Sequence, residues 1–206
     1  MKTIFDTLNL PQFRKYPAMF IGKQDIRTLE TWIQGYMSAC DDACEQNRLN
    51  TSNGIPISLL RDYLAWKEQD HSTGGIAYIM MKAANYSDEE AWTMFFSYLD
   101  EFESLKRTNT RYVTITDAMA DHAAHHYPVF APDESGNILP LSFPGYRFSK
   151  VVLNNGLCWI ETKSPDESSS RLGFIGFEHV IMPEEEADKQ MEEWFGAVRW
   201  ENEAID

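Results

Sequence analysis

Between Asp25 and Cys44 apolar residues return at every third or fourth position, at Ile26, Leu29, Ile33, Tyr36, Met37, Cys40 and Cys44, the spacing of one buried stripe on a helix. Asp25 stands where an N-cap carboxylate takes up free first-turn amides. Asn50-Thr51-Ser52-Asn53-Gly54 breaks this pattern. A second helix is predicted from Pro56, whose ring suits a first turn, with Leu59, Leu60, Tyr63, Leu64 and Trp66 inward. A third is predicted over residues 72–84, weakened at its start by Gly74-Gly75, with Ile76, Ile79, Met80 and Ala83 as its apolar positions. Ser87-Asp88-Glu89-Glu90 reads as a capping box that opens a fourth helix carrying Trp92, Phe95, Phe96, Leu99, Phe102 and Leu105. Four apolar stripes leave water most simply by packing together.

Further along, the period changes. Tyr112 to Ile115 alternates like a short strand, and Thr116 to Tyr127 fits one more helix. Arg147 to Leu153 and Leu157 to Thr162, joined by Asn154-Asn155-Gly156, predict a hairpin whose turn glycine supplies a positive φ. Arg171 to Ile181 reads as a further strand with glycines marking a bulge, and Pro183 starts an acidic helix that buries Met191, Trp194 and Phe195. The expected fold class is α+β in a single domain over 1–206. A helical part, about 13–127, packs with a small antiparallel sheet in the strand-rich part, about 128–206, which ends in the acidic helix.

Composition narrows the class. The 206 residues are 43% hydrophobic and 13% aromatic, enough to fill a core, and no apolar run reaches the length of a membrane span. Met1 to Asp6 meets charge before a signal-peptide core can form, so a cytoplasmic location is expected. Cys40, Cys44 and Cys158 match neither a zinc knuckle nor a disulfide framework and read as small buried thiols. The net charge is −14, and from Glu184 to Asp206 nine acids face only Lys189 and Arg199. A second run, Asp88, Glu89, Glu90, Asp100, Glu101 and Glu103, contains no base. Such surfaces repel phosphates and anionic lipid and speed the encounter with a basic protein, so neither a nucleic acid nor a membrane is expected as partner.

Candidate chemistry is sparse. His122 and His126 lie four apart with Asp121 and His125 alongside, a spacing that lets two imidazoles share an ion. This cluster supports the alternative reading, a metal-dependent hydrolase or nucleotide-processing enzyme. Ala123 and Ala124, however, stand where a His-Glu-x-x-His metallopeptidase keeps its Glu. Neither a Gly-x-Ser-x-Gly elbow nor a Walker loop is present. Adjacent acids such as Asp41-Asp42 point about a hundred degrees apart on a helix, too far to share a proton-transfer site. The expectation is a non-enzyme, with no catalytic residue, metal ligand or cofactor assigned.

Two resemblances remain. Arg14-Lys15-Tyr16-Pro17-Ala18-Met19-Phe20-Ile21-Gly22 resembles a segment near the N-terminus of the gyrase B and type II topoisomerase ATPase domain. That likeness is superficial. The ATPase also needs an adenine-reading Asp and a phosphate lid, where this chain has no Asp at the right step before Gly54 and only Gly74-Gly75. A longer likeness runs through Pro17 to Gly22, Gly35-Tyr36, Trp66, Ser72 to Ile76 and Asp88 to Phe96. Over Phe13 to Phe102 the chain is similar to small bacterial immunity-like proteins, which resemble antitoxins of polymorphic toxin systems. The resemblance implies a protein that neutralises a cognate toxin by covering its active site, and the acidic surface implies that the toxin is basic. A regulatory subunit without a toxin is a third reading. Contacts are expected on Glu184, Glu185, Glu186, Glu192 and Glu193, and on the loop 165–170 with Asp166 and Glu167. Within the opening motif, Pro17 and Gly22 are expected to shape a turn and Met19, Phe20 and Ile21 to supply packing.

Overall fold

The computed structural model describes residues 3–43, 46–70, 72–127, 130–132, 138–140, 143–163 and 180–202. Cys44, His71, the loop 165–170 with Asp166 and Glu167, and most of the strand expected over 171–181, with His179, lie outside them. The fold is α+β. Its contacts divide the chain into two compact units, Met1–Lys106 and Arg107–Asp206. The strand and helix expected to close the helical part therefore belong with the sheet.

In the first unit three short helices, α1 (Ile4–Leu8), α2 (Pro11–Lys15) and α3 (Ala18–Ile21), precede α4 (Ile26–Asp42), α5 (Leu60–Lys67), α6 (Ile76–Ala83) and α7 (Asp88–Ser104). Asp25 caps α4 as expected, its carboxylate accepting from the Thr28 amide at 2.9 Å and the Thr28 hydroxyl at 2.8 Å. Ile26, Leu29, Ile33 and Cys40 form the buried stripe. α5 follows a 3₁₀ turn, Ile57–Leu59, that begins after Pro56. Phe102 of α7 stands between Phe5 and Tyr63, with ring centroids 6.3 and 5.4 Å away. Each large side chain buried in this way contributes roughly 1.5–3 kcal/mol.

Three local expectations need correction. α6 starts at Ile76, not Ser72, because Arg61 holds the preceding segment by donating to the carbonyls of Ser72 and Gly74. The capping box at Ser87 is half-formed. Its hydroxyl accepts from the Glu90 amide at 3.3 Å, but the Ser87 amide donates to the Ala84 carbonyl at 2.9 Å, leaving Glu90 nothing to reach back for. In the opening motif the packing is done by Phe13, fully buried, and by Arg14, which forks onto Asp100 at 2.9 and 2.5 Å. Of the three residues expected to pack, Met19 is 80% exposed, Phe20 is 43% exposed with its ring 5.3 Å from Phe13, and Ile21 is part-buried.

The second unit holds β1 (Arg107–Thr114), α8 (Asp117–His126), β2 (Phe130–Pro132), β3 (Ile138–Pro140), β4 (Arg147–Leu153), β5 (Leu157–Lys163), β6 (Met182–Pro183), α9 (Glu184–Phe195) and β7 (Glu201–Asn202). Five of the strands form an antiparallel sheet in the order β6-β5-β4-β1-β7, and β2 pairs with β3. The β4–β5 turn carries Gly156 at φ +80°, as the sequence demanded. Register places Val113 opposite Phe148, and Val152 opposite Cys158, so that these residues and Ile160 share one face. Ala187, Met191 and Phe195 of α9 complete the core on that face.

Candidate functional site

α9 carries most of the acids expected to make contacts. Glu184, Glu185 and Glu186 occupy its first turn, where carboxylates favour the free amide ends. Ala187, Met191 and Phe195 point into the sheet, and Glu184 and Asp188, one turn apart, flank that apolar row. Beneath them lies a cross-strand pair, Arg111 on β1 and Lys150 on β4. Lys150 has no exposed surface. Its Nζ lies 2.6 Å from Asp188 Oδ1 and 3.1 Å from Glu184 Oε1, while Arg111 Nη1 reaches Glu184 Oε1 at 2.9 Å. Trp200 Nε1 donates to Asp188 Oδ1 at 2.7 Å, and its ring centroid sits 4.8 Å from Lys150 Nζ.

Two cations, two carboxylates and an indole thus lock the rotation of α9 on the sheet. A buried lysine is tolerated only when its desolvation is offset in this way. Burial pushes the neighbouring Cys158 thiol up to about 12, against the opposing pull of Lys150, so at neutral pH it packs as a protonated thiol.

The outer side of α9 is different. Glu185, Glu186, Glu192 and Glu193 are exposed and form two rows at helical spacing, Glu185 with Glu192 and Glu186 with Glu193. Glu193 lies 3.7 Å from Lys189, and Glu186 accepts from Gln190 at 3.3 Å. Among the described residues Glu185 and Glu192 have no cationic partner. The structure therefore sorts the α9 residues anticipated from sequence: four on the outer side, and Glu184 turned onto the sheet.

The second acidic run is sorted likewise. Asp100 is held by Arg14, and Glu101 lies 2.6 Å from Lys67 and accepts from the Tyr63 hydroxyl at 3.1 Å. Both oxygens of Glu103 accept from the Asn9 amide. Asp88, Glu89 and Glu90 stay exposed, the latter two on a groove of about 460 Å³ floored by Ala83, Ala84 and Met94.

The histidines lie on α8, capped by Thr116. The His122 and His126 rings are 4.4 Å apart, and His125 is exposed. Among the described residues no three His, Cys, Asp or Glu side chains converge to hold a metal ion. Tyr127, at the end of α8, stacks on Trp194 at 5.0 Å and 12°.

Sequence reasoning missed Arg111, Lys150 and Trp200. A signal existed for one of them: Phe148-x-Lys150-x-Val152 alternates, which sets the lysine on a face with two apolar residues, where burial would require a partner.

The chain matches no protein-family model, no curated protein and no solved structure. Among the described residues no helix is long and apolar enough to cross a membrane.

Proposed function

We propose that the protein is a non-enzymatic, cytoplasmic binding protein of immunity type, which neutralises a cognate toxin domain by laying the outer acidic side of α9 over a basic surface. One observation carries this reading: α9 is clamped from beneath through Glu184 and Asp188, which leaves Glu185, Glu186, Glu192 and Glu193 on a helix that cannot roll. A helix held in one orientation presents these carboxylates together as a local negative field, which favours fast association with a cationic partner. The immunity assignment itself comes from the likeness over Phe13 to Phe102.

The test is co-purification with the product of the adjacent upstream gene, followed by titration. Glu185→Lys with Glu192→Lys is expected to weaken binding by tenfold or more, about 1.4 kcal/mol, chiefly through the association rate. Absence of binding at micromolar concentration would remove the pairing. Binding untouched by the charge reversal would move the contact off α9.

A further inference from the structure

In a chain of net charge −14, residues 11–29 run the other way: Arg14, Lys15, Lys23 and Arg27 stand against the single carboxylate of Asp25. The same stretch exposes Tyr16 at 51%, Met19 at 80% and Phe20 at 43%. Exposed apolar side chains scattered singly need no explanation, but three within residues 16–20 on a rigid base mark an interaction site.

The base here is rigid. The buried Phe13 ring lies 5.3 Å from Phe20 and 5.4 Å from Trp32, and the Arg14 guanidinium sits 4.8 Å over Phe96 while its fork holds Asp100 on α7. Gly22, at φ +84° in the left-handed region that favours glycine, ends α3 after a single turn.

The rim selects the occupant. Lys15 Nζ sits 5.1 Å from the Tyr16 ring, and Lys23, 73% exposed, reaches Asp25 at 3.2 Å and leaves its other donors to solvent. Among the described residues neither Lys15 nor exposed Arg27 meets a carboxylate. An anionic membrane or a nucleic acid spreads its charge over a wide area and would meet the repulsion of the whole acidic molecule. A short segment is screened from charges beyond about 8 Å at physiological salt, so the excess of bases over acids within residues 11–29 counts for more than the net charge of the molecule.

We propose that Tyr16, Met19 and Phe20, rimmed by Lys15, Lys23 and Arg27, form a docking surface for a protein segment that carries an apolar anchor flanked by carboxylates. This site is independent of the acidic side of α9 and does not rest on the immunity reading. Methionine adapts its shape to an inserted anchor, and the aromatics supply area at little entropic cost.

The test is selection of a displayed random 12-residue peptide library on the full-length protein, followed by titration of the enriched peptides. Enriched peptides are expected to pair an aromatic or branched aliphatic residue with two or more acids. Their Kd should rise about tenfold with Met19→Ala, and further with Lys15→Glu plus Arg27→Glu. Met19 is exposed, so an unchanged Tm certifies the fold of the variant. Any of four results overturns the proposal: no enrichment, enriched peptides that are neutral or basic, binding insensitive to these substitutions, or self-association that Met19→Ala abolishes. Binding to vesicles with one-third anionic lipid, lost in the charge-reversed variant, would replace the peptide with a membrane.

Discussion

Lys150 shows how one side chain can hold an element in place. Removing an ammonium group from water costs several kcal/mol, and here Asp188 at 2.6 Å and Glu184 at 3.1 Å offset that cost. The two sides of the cluster are unequal, since the lysine side chain has no exposed surface while those of Glu184 and Asp188 keep 29% and 40%. Stranding the lysine must therefore hurt more than stranding the acids. Glu184→Gln combined with Asp188→Asn is expected to destabilise the protein by about 3–5 kcal/mol in urea denaturation. Lys150→Met, which fills the same space and lets the carboxylates turn to water, should cost far less. The reverse order would mean that the carboxylates, and not the lysine, are the groups the cluster cannot leave unpaired. Little of this was read from the sequence: the alternation Phe148-x-Lys150-x-Val152 sets the lysine beside two apolar residues, but Val151 and Leu153 make the other face of β4 equally apolar. Trp200 was not legible at all, since nothing local marks an indole that closes a cluster from a distant segment.

At the scale of elements, capping explains both what could be read and what was misread. Asp25 and Thr116 cap the helices that follow them, so the starts of α4 and α8 could be read from a few adjacent residues. The β4–β5 hairpin was equally local, written in its Asn154-Asn155-Gly156 turn. The start of α6 was not local. Its cap is Glu30, far back on α4, whose two oxygens accept from the amides of Ile76 at 2.7 Å and Ala77 at 3.2 Å. Gly75 is there to make room, because a Cβ at that position would fall 2.2 Å from Glu30 Oε1. The glycine that seemed to weaken the helix is what admits its cap. Glu30→Ala and Gly75→Ala should each therefore cost about 1–2 kcal/mol, and the double variant little more than either, since both remove one interaction. Urea denaturation of the cycle measures this, and additive losses would show that the glycine and the carboxylate act separately. The exposure of Met19 and Phe20 was out of reach for a related reason. A single-turn helix is too short for its apolar spacing to tell which side faces water.

For the whole molecule the governing quantity is the imbalance of 32 acids against 18 Lys and Arg. Self-repulsion among exposed carboxylates opposes folding, and salt screens it first because those charges stand in water. Clustered pairs such as Lys150–Asp188 and Asp70–Lys82, with Lys150 and Asp70 themselves buried, are screened much less. The melting temperature at pH 7 should therefore rise by a few degrees between about 10 and 150 mM NaCl. Mild acidification should act in the same direction, and Asp70 decides how far it can be pushed. The Lys82 ammonium, together with the Ser72 amide, holds the Asp70 carboxyl below the ordinary aspartate value of 3.8. Its contribution is therefore fully present above that pH and is lost only as the pH falls below it. Between pH 7 and about 5 this pair stays intact, and any gain in stability there reports relief of repulsion. A melting temperature that instead falls with added salt at pH 7 would mean that attractive pairs outweigh the repulsion.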